Sequence, residues 1–145
     1  MSGAMDDKRE VTVTVESDAD GERVALAAPG TLYRKGGSFY VRYEEQDEQL
    51  GVSMVTVKAS ADGAEVRLTR RGAVDSELVF APGGERRGHY RTAQLLMPLR
   101  VLCSSADVQL DGAGELERIA VAYELHTGDT LLGQHRVTFL IASPT

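Results

Sequence analysis

Apolar residues occupy every second position in many short segments of this chain, and this alternation constrains its fold more than any other feature. The clearest case is residues 36–45, Gly-Gly-Ser-Phe-Tyr-Val-Arg-Tyr-Glu-Glu. Successive side chains of a β-strand point to opposite faces, so a period of two is typical of strands. One face carries Phe39, Val41 and Tyr43, and the other carries Tyr40, Arg42 and Glu44. Apolar patterning favours burial of the face with Phe39, Val41 and Tyr43.

The rest of the chain repeats this pattern, with turns that contain Gly, Pro or Asp between the segments. Asp62-Gly63 is the strongest hairpin signal, because both residues tolerate the backbone angles of a tight turn. Pro29-Gly30 predicts a kink or bulge in a long strand, and a short helix over residues 24–28 is the less favoured alternative. Pro98 predicts an edge or a bulge. The predicted strands cover residues 11–16, 22–34, 36–45, 52–60, 65–71, 76–81, 89–92, 95–103, 119–125 and 135–141, with a long linker over residues 82–88.

Strands joined by short turns predict an antiparallel meander. A flat sheet with this many strands would expose long edges, so we expect closure into a single all-β, up-and-down barrel of about 8–10 strands. A β-sandwich is the alternative. The 145 residues suffice for one domain. We expect it to cover residues 9–143, after a flexible leader at residues 1–8 in which residues 1–4 are an expression scar and Met5 is the native start.

Charge and cysteine content exclude several classes of protein. The net charge of −6 argues against nucleic-acid binding, which depends on basic patches. Arg70-Arg71 and Arg86-Arg87 are interpreted as solvated arginines beside turns. Cys103 is the only cysteine, which excludes an internal disulfide and a zinc site built from cysteines. No apolar run approaches the ~18 residues of a spanning helix and no export leader is recognisable, so we expect a soluble cytoplasmic protein without membrane contacts.

Several short motifs occur in an order that resembles a known family. They are Gly30 with Tyr33, Tyr40-Val-Arg-Tyr43-Glu44, Lys58, Arg71-Gly72, Phe80, Tyr90-Arg-Thr92 and Tyr123. Together they resemble the YwiB-like family of uncharacterised bacterial β-barrels with calycin (lipocalin-like) architecture, over nearly the whole chain after Met5. The resemblance implies a closed barrel and brings no established activity. The chain departs from the family pattern after Thr92, where Ala93-Gln94-Leu95-Leu96 replaces a proline and a Tyr-Gly pair.

The candidate ligand-binding residues are aromatic, charged and hydroxyl side chains on or beside the predicted strands: Tyr33, Tyr43, Glu44, Lys58, Arg71, Tyr90, Thr92 and Tyr123. A small barrel is either filled with side chains or holds one small ligand. If Glu44, Lys58 and Arg71 point inward, they form a buried charge cluster that needs mutual pairing or an anion. In the alternative, these charges pair on the surface or rim and the tyrosines cap the core with solvated hydroxyls. Arg71 alternates out of phase with Val66 and Leu68, which favours an outward position.

No catalytic or cofactor-binding constellation is recognisable. Ser104-Ser105 lack the glycine elbow of a serine nucleophile, and no glycine-rich loop leads into a helix to bind a nucleotide. His135 is the only histidine in phase with apolar residues, so no metal site is expected. The first hypothesis is therefore a non-enzymatic, lipocalin-like barrel that binds a small hydrophobic or anionic molecule. The second is a structural or interaction protein with a filled barrel that acts through an exposed strand or loop face, as a homodimer in one form, and an enzyme ranks third.

Overall fold

The computed structural model describes residues 8–144, and every regular element in that range is a β-strand. The predicted leader at residues 1–8, with its expression scar, lies outside the described residues except for Lys8. The strands are β1 (Arg9–Ala19), β2 (Glu22–Lys35), β3 (Ser38–Asp47), β4 (Gly51–Ser60), β5 (Val66–Gly72), β6 (Asp75–Phe80), β7 (Glu85–Arg91), β8 (Leu96–Leu110), β9 (Leu116–Thr127) and β10 (Thr130–Ala142).

The ten strands form one closed barrel in chain order. Each strand pairs antiparallel with the next one, and β1 closes the barrel by pairing with β10 from Thr12↔Ala142 to Ala19↔His135. Closure pairs the first and last strands, which would otherwise be free edges of the sheet. The prediction of an all-β antiparallel meander barrel is confirmed, and the β-sandwich alternative is wrong.

The β2–β3 hairpin shows how the turns fix the register of the barrel. Lys35 pairs with Ser38, so Gly36 and Gly37 alone form the loop. Their φ angles are 59° and 82°, in the left-handed region that a two-residue type I′ turn requires at both positions. The turn therefore sets which face of β3 points inward, and a slip of one residue would reverse that choice.

β2 runs through Pro29 and Gly30 without interruption. Its ladder with β1 has no register shift there, so both the predicted bulge and the helical alternative are wrong. The pairing between β2 and β3 does end at Gly30, since these two strands pair only over residues 30–35 of β2. A Cβ at Gly30 would lie 2.7 Å from the carbonyl oxygen of Arg42 and 2.8 Å from Cγ2 of Val13. Glycine therefore lets β1, β2 and β3 approach closely where β2 separates from β3.

The region around β7 also differs from the prediction. β7 begins at Glu85, so the predicted linker is reduced to a turn over residues 82–84. Leu95 lies in the β7–β8 turn and is exposed, rather than on the apolar face of a strand. Pro98 lies where β8 pairs with β7 but not yet with β9, so the predicted edge position is confirmed.

β8 continues beyond the segment that alternation predicts. A bulge between Cys103 and Ser105 shifts the phase of its side chains by one residue. Ala106 and Val108 consequently pack against the core, although strict alternation from Cys103 would place them outside. The prediction missed this half of β8 because the phase shift breaks the period of two.

Inward side chains fill one half of the barrel. Val13, Phe39, Val41 and Val57 are fully buried there, and Leu32 is 2% exposed. Complete burial of each such side chain contributes about 1.5–3 kcal/mol of hydrophobic free energy. The predicted orientation of β3, with Phe39 and Val41 facing inward, is confirmed. We call this region the packed half, and the opposite half of the barrel is built differently.

Candidate functional site

The half of the barrel opposite the packed half contains a cavity of about 550 Å³. It lies where β2 and β3 are no longer paired, so the wall has a gap between residues 22–29 of β2 and residues 44–47 of β3. We call this gap the slit. Most of the cavity wall is apolar. Apolar side chains on the cavity wall include Val15, Leu26, Ala28, Leu68, Leu78, Phe80, Val121, Val137 and Phe139.

Arg70 and Glu45 form a bidentate ion pair on the cavity wall. Nε of Arg70 donates to Oε1 of Glu45 at 2.8 Å, and Nη2 donates to Oε2 at 3.3 Å. Nη1 donates to Oγ of the buried Ser76 at 3.3 Å. Arg70 faces inward because it is in phase with Val66 and Leu68 on β5. The side chains of Arg70 and Glu45 are 23% and 32% exposed, so solvent screens this pair less than a surface pair.

The positive charge of Arg70 and the negative charge of Glu45 compensate each other. Burial lowers the pKa of Arg70, but the hydrogen bond and the charge of Glu45 outweigh burial and raise the pKa overall. The guanidinium is therefore held in its charged form, with Glu45 as its counter-charge. The three bonds of Arg70 leave further N–H donors of the guanidinium fork available to a neighbouring group.

Two tyrosines complete the polar part of the cavity wall. Burial raises the pKa of Tyr43 to about 12, an effect that Arg70 opposes and Glu45 reinforces. Burial likewise raises the pKa of Tyr123, again against the influence of Arg70. Both hydroxyls are therefore protonated at neutral pH, and each can donate or accept a hydrogen bond. The cavity offers neutral hydrogen-bonding groups beside a balanced ion pair.

Tyr123 is held between two other rings. Its ring lies 4.6 Å from that of Phe80 and stacks on the imidazole of His135, with 5.2 Å between the centroids. Nε2 of His135 is buried and has no hydrogen-bond partner among residues 8–144. Within the same residues, no group of three or more His, Cys, Asp or Glu side chains could hold a metal ion. His135 thus acts here as a packing partner that orients Tyr123.

Some of the predicted ligand-binding residues lie at the cavity. Tyr43 and Tyr123 line its wall, and the exposed Glu44 lies at its rim. Tyr43 and Glu44 lie on β3 and Tyr123 lies on β9, so closure of the barrel brings them to the same cavity. Their role in binding stays a prediction.

Tyr33 and Lys58 lie on the outer surface of the barrel. Tyr33 stacks on Tyr40 with 4.9 Å between the centroids, and Nζ of Lys58 lies 5.7 Å from the Tyr40 ring centroid. Tyr33 is out of phase with the buried Leu32, which explains its outward position. These residues form a cation–π cluster outside the cavity.

Arg71, Tyr90 and Thr92 also lie away from the cavity. Arg71 is exposed, and its Nη1 donates to the backbone carbonyl of Arg70 at 3.0 Å. Tyr90 packs against the core from β7, and the backbone N–H of Thr92 donates to Leu95 in the β7–β8 turn. Glu44, Lys58 and Arg71 are all exposed, so the condition for a buried cluster of these three charges is not met.

The prediction also missed the two charged residues that do face the cavity. The interpretation of Arg70 as a solvated arginine is wrong, and Glu45 is absent from the predicted ligand-binding residues. The phase of each strand could have identified both, because Arg70 follows Val66 and Leu68 at a spacing of two and Glu45 follows Tyr43 in the same way. Two opposite charges that each continue an inward apolar face predict an internal ion pair.

Comparison with known proteins shows one family. The model of a domain of unknown function, DUF1934, matches residues 10–139. The chain is 30% identical to the uncharacterized β-barrel protein YwiB of Bacillus subtilis (strain 168) over 128 aligned residues. The aligned region covers 88% of this chain and 87% of that protein. The crystal structure of the YwiB protein from Bacillus subtilis matches with a TM-score of 0.83 at 29% identity, over 99% of this chain and 98% of that chain. In the range that the structure describes, no helix has the length and apolar character to cross a membrane.

Proposed function

The chain belongs to the DUF1934 family, a domain family of unknown function, and from this premise we propose that the protein is a non-enzymatic barrel that binds one small, mainly apolar molecule. The cavity between β2 and β3 is the observation that carries this proposal. Its volume of about 550 Å³ lies within the usual range of small-molecule sites, roughly 300–1,000 Å³. Its wall also has the usual composition, with many apolar side chains and a few polar groups that can orient a ligand.

The charges at the cavity favour an apolar ligand over an anionic one. Glu45 neutralises Arg70 at 2.8 Å, so an anion gains little from the guanidinium unless it displaces Glu45. Glu44 adds negative charge at the rim. A ligand with an apolar body and a neutral hydroxyl or carbonyl group can instead hydrogen-bond to Tyr43, Tyr123 or the remaining donors of Arg70.

A binding role is preferred to catalysis because the charged groups on the cavity wall already satisfy each other. Catalytic acids and bases are usually poised with shifted pKa values near the working pH, whereas burial moves the pKa of Tyr43 and Tyr123 away from neutrality. We also infer a cytoplasmic location from the single cysteine, since small exported domains are commonly cross-linked by disulfides. The filled-barrel alternative fits the packed half and leaves the open half without a role.

Fluorescence titration with two naphthalene probes tests the proposal. N-phenyl-1-naphthylamine is neutral, and 1-anilinonaphthalene-8-sulfonate is a similar molecule with a negative charge. We expect saturable binding of one neutral probe per barrel, and binding of the anionic probe about tenfold weaker, which corresponds to roughly 1.4 kcal/mol.

A cavity-filling variant locates the bound probe. Val137→Phe adds an aromatic ring to the cavity wall and is expected to abolish binding. Leu131→Phe is the matched control, because Leu131 is an exposed β10 residue outside the cavity lining. Equal probe binding by both variants, each checked for a cooperative thermal transition, would contradict the proposal. Native mass spectrometry of the purified protein can then search for a bound natural ligand.

A further inference from the structure

The slit leaves two strand edges without partners inside the barrel wall. Among residues 8–144, residues 22–29 of β2 pair only with β1, and residues 44–47 of β3 pair only with β4. Each segment therefore presents backbone N–H and C=O groups toward the slit. Such groups are a template for pairing with another extended chain.

The middle of the β2 segment has none of the usual protection of an edge strand. Natural edges are blocked by charged side chains, prolines or bulges. Here Glu22, Arg23 and Pro29 protect only the two ends of the segment. Between them Val24 is 55% exposed and Leu26 is 62% exposed. Both side chains belong to the cavity lining, so they form an apolar lip at its mouth.

The charges around the slit select for a basic partner. Glu22, Glu44, Asp47 and Glu48 have no ion-pair partner within the described part of the chain. Two basic residues at the slit are already compensated, since Arg23 pairs with Asp18 at 3.4 Å and Arg70 pairs with Glu45. A second copy of this chain would bring the same acidic rim and a further net charge of −6, which opposes self-association through the slit.

We propose that the slit is a docking site for an extended basic peptide segment of a partner protein, which adds as a strand to the free edge of β2. Alternate apolar side chains of the peptide enter the mouth of the cavity beside Val24 and Leu26. The intervening lysine or arginine side chains face outward toward Glu44, which lies on the exposed face of β3. Backbone hydrogen bonds supply affinity in this mode of recognition, and side chains at every second position supply specificity.

The test uses a fluorescein-labelled peptide of ~8 residues in which lysine and valine alternate, a length that matches the unpaired β2 segment. One control peptide has the same composition with the valines contiguous, and another carries N-methyl groups at alternate amides. Fluorescence anisotropy measures the affinities. We expect saturable binding of the alternating peptide and affinities about tenfold lower for both controls. Contiguous valines cannot all face the cavity from one strand, and N-methyl groups block the backbone hydrogen bonds that strand addition needs.

A variant pair separates strand addition from general attraction between opposite charges. Leu26→Lys places a positive charge on the lip and is expected to weaken binding of the alternating peptide about tenfold. Leu131→Lys makes the same change of net charge at an exposed position outside the cavity lining and is expected to leave the affinity nearly unchanged. Both positions are exposed, so neither variant is expected to unfold the barrel.

Three results would overturn the proposal. The first is equal binding of the alternating and contiguous peptides, which indicates charge attraction without strand pairing. The second is an equal effect of Leu26→Lys and Leu131→Lys. The third is a wild-type homodimer in sedimentation experiments that Leu26→Lys converts to a monomer, because a second copy then occupies the edge.

Discussion

Removal of the negative charge of Glu45 is expected to destabilise the barrel and to change the kind of ligand that it accepts. Glu45→Gln keeps the size and shape of the side chain but leaves the guanidinium of Arg70 without a counter-charge. Arg70 would retain a hydrogen bond to Ser76 and its partial contact with solvent. The single change therefore tests both the energy of the ion pair and its influence on ligand charge.

The exposure of the pair sets the size of the effect. A fully exposed ion pair contributes about 0.2–1 kcal/mol, and breaking a fully buried one costs about 3–5 kcal/mol. With side chains 23% and 32% exposed and a bidentate contact at 2.8 Å, we expect a loss of about 1.5–2.5 kcal/mol in the free energy of unfolding. Replacing both partners by Glu45→Gln with Arg70→Met is expected to recover about 1 kcal/mol, because no uncompensated charge remains.

Urea unfolding followed by circular dichroism measures the stability change, and the two naphthalene probes measure the binding change. The charge of Arg70 is uncovered in Glu45→Gln, so affinity for the anionic probe is expected to rise about fivefold to tenfold relative to the neutral probe. Glu44→Gln is the matched control, since the adjacent Glu44 is exposed and, within residues 8–144, has no hydrogen bond or ion pair to Arg70. Its urea midpoint is expected to stay close to that of the wild type. Its preference for the neutral probe is expected to fall less than in Glu45→Gln, because Glu44 lies at the rim of the cavity and is not paired with Arg70.

Equal urea midpoints for Glu45→Gln and Glu44→Gln would refute the energetic reasoning. An unchanged preference between the two probes in a folded Glu45→Gln protein would refute the idea that Glu45 neutralises the cavity. The two results are independent, so stability and selectivity are tested separately.

Three further predictions concern individual residues. The folded pKa of Tyr43 is about 12, against an ordinary value of 10.0. The contribution of Tyr43 to stability is therefore present below pH 10 and is lost as the pH rises toward 12, and the loss is about 2–3 kcal/mol. Urea unfolding as a function of pH measures this loss, which is expected to be absent in Tyr43→Phe. Gly30→Ala forces a Cβ to within 2.7 Å of a backbone oxygen and is expected to cost about 1–3 kcal/mol in unfolding free energy, whereas Gly112→Ala, with open space around it, leaves the urea midpoint unchanged. Burial raises the pKa of the Cys103 thiol, so its reaction with a disulfide reagent is expected to be slow in water and fast above the urea midpoint; fast reaction of the folded protein would contradict this account.

The barrel was predictable because its causes are local in the sequence. The alternation of Phe39, Val41 and Tyr43 identifies a strand and its buried face, and Gly36-Gly37 specifies a turn type from two residues. Short connections then leave few topologies other than a meander. The exceptions have physical causes too, since the bulge at Ser105 shifts the phase of β8 without a sequence signal that alternation can detect.

The candidate site was less predictable because it depends on how strands are staggered. Nothing within β2 shows that its pairing with β3 ends at Gly30, since the ladder with β1 continues without a shift. The slit and the cavity both follow from that ending. The inward positions of Glu45 and Arg70 could be read from the strand phases, but their contact across β4 requires the register of three strands.

Methyl nuclear magnetic resonance with the neutral naphthylamine probe can show which half of the barrel receives a ligand. We expect saturable shifts for the methyl groups of Val15, Val121 and Val137, which line the cavity. The signals of Val41 and Val57, which are fully buried in the packed half, are expected to stay unchanged. Shifts spread over both sets, or no saturable shift at the cavity valines, would contradict the claim that this barrel binds a small molecule between β2 and β3.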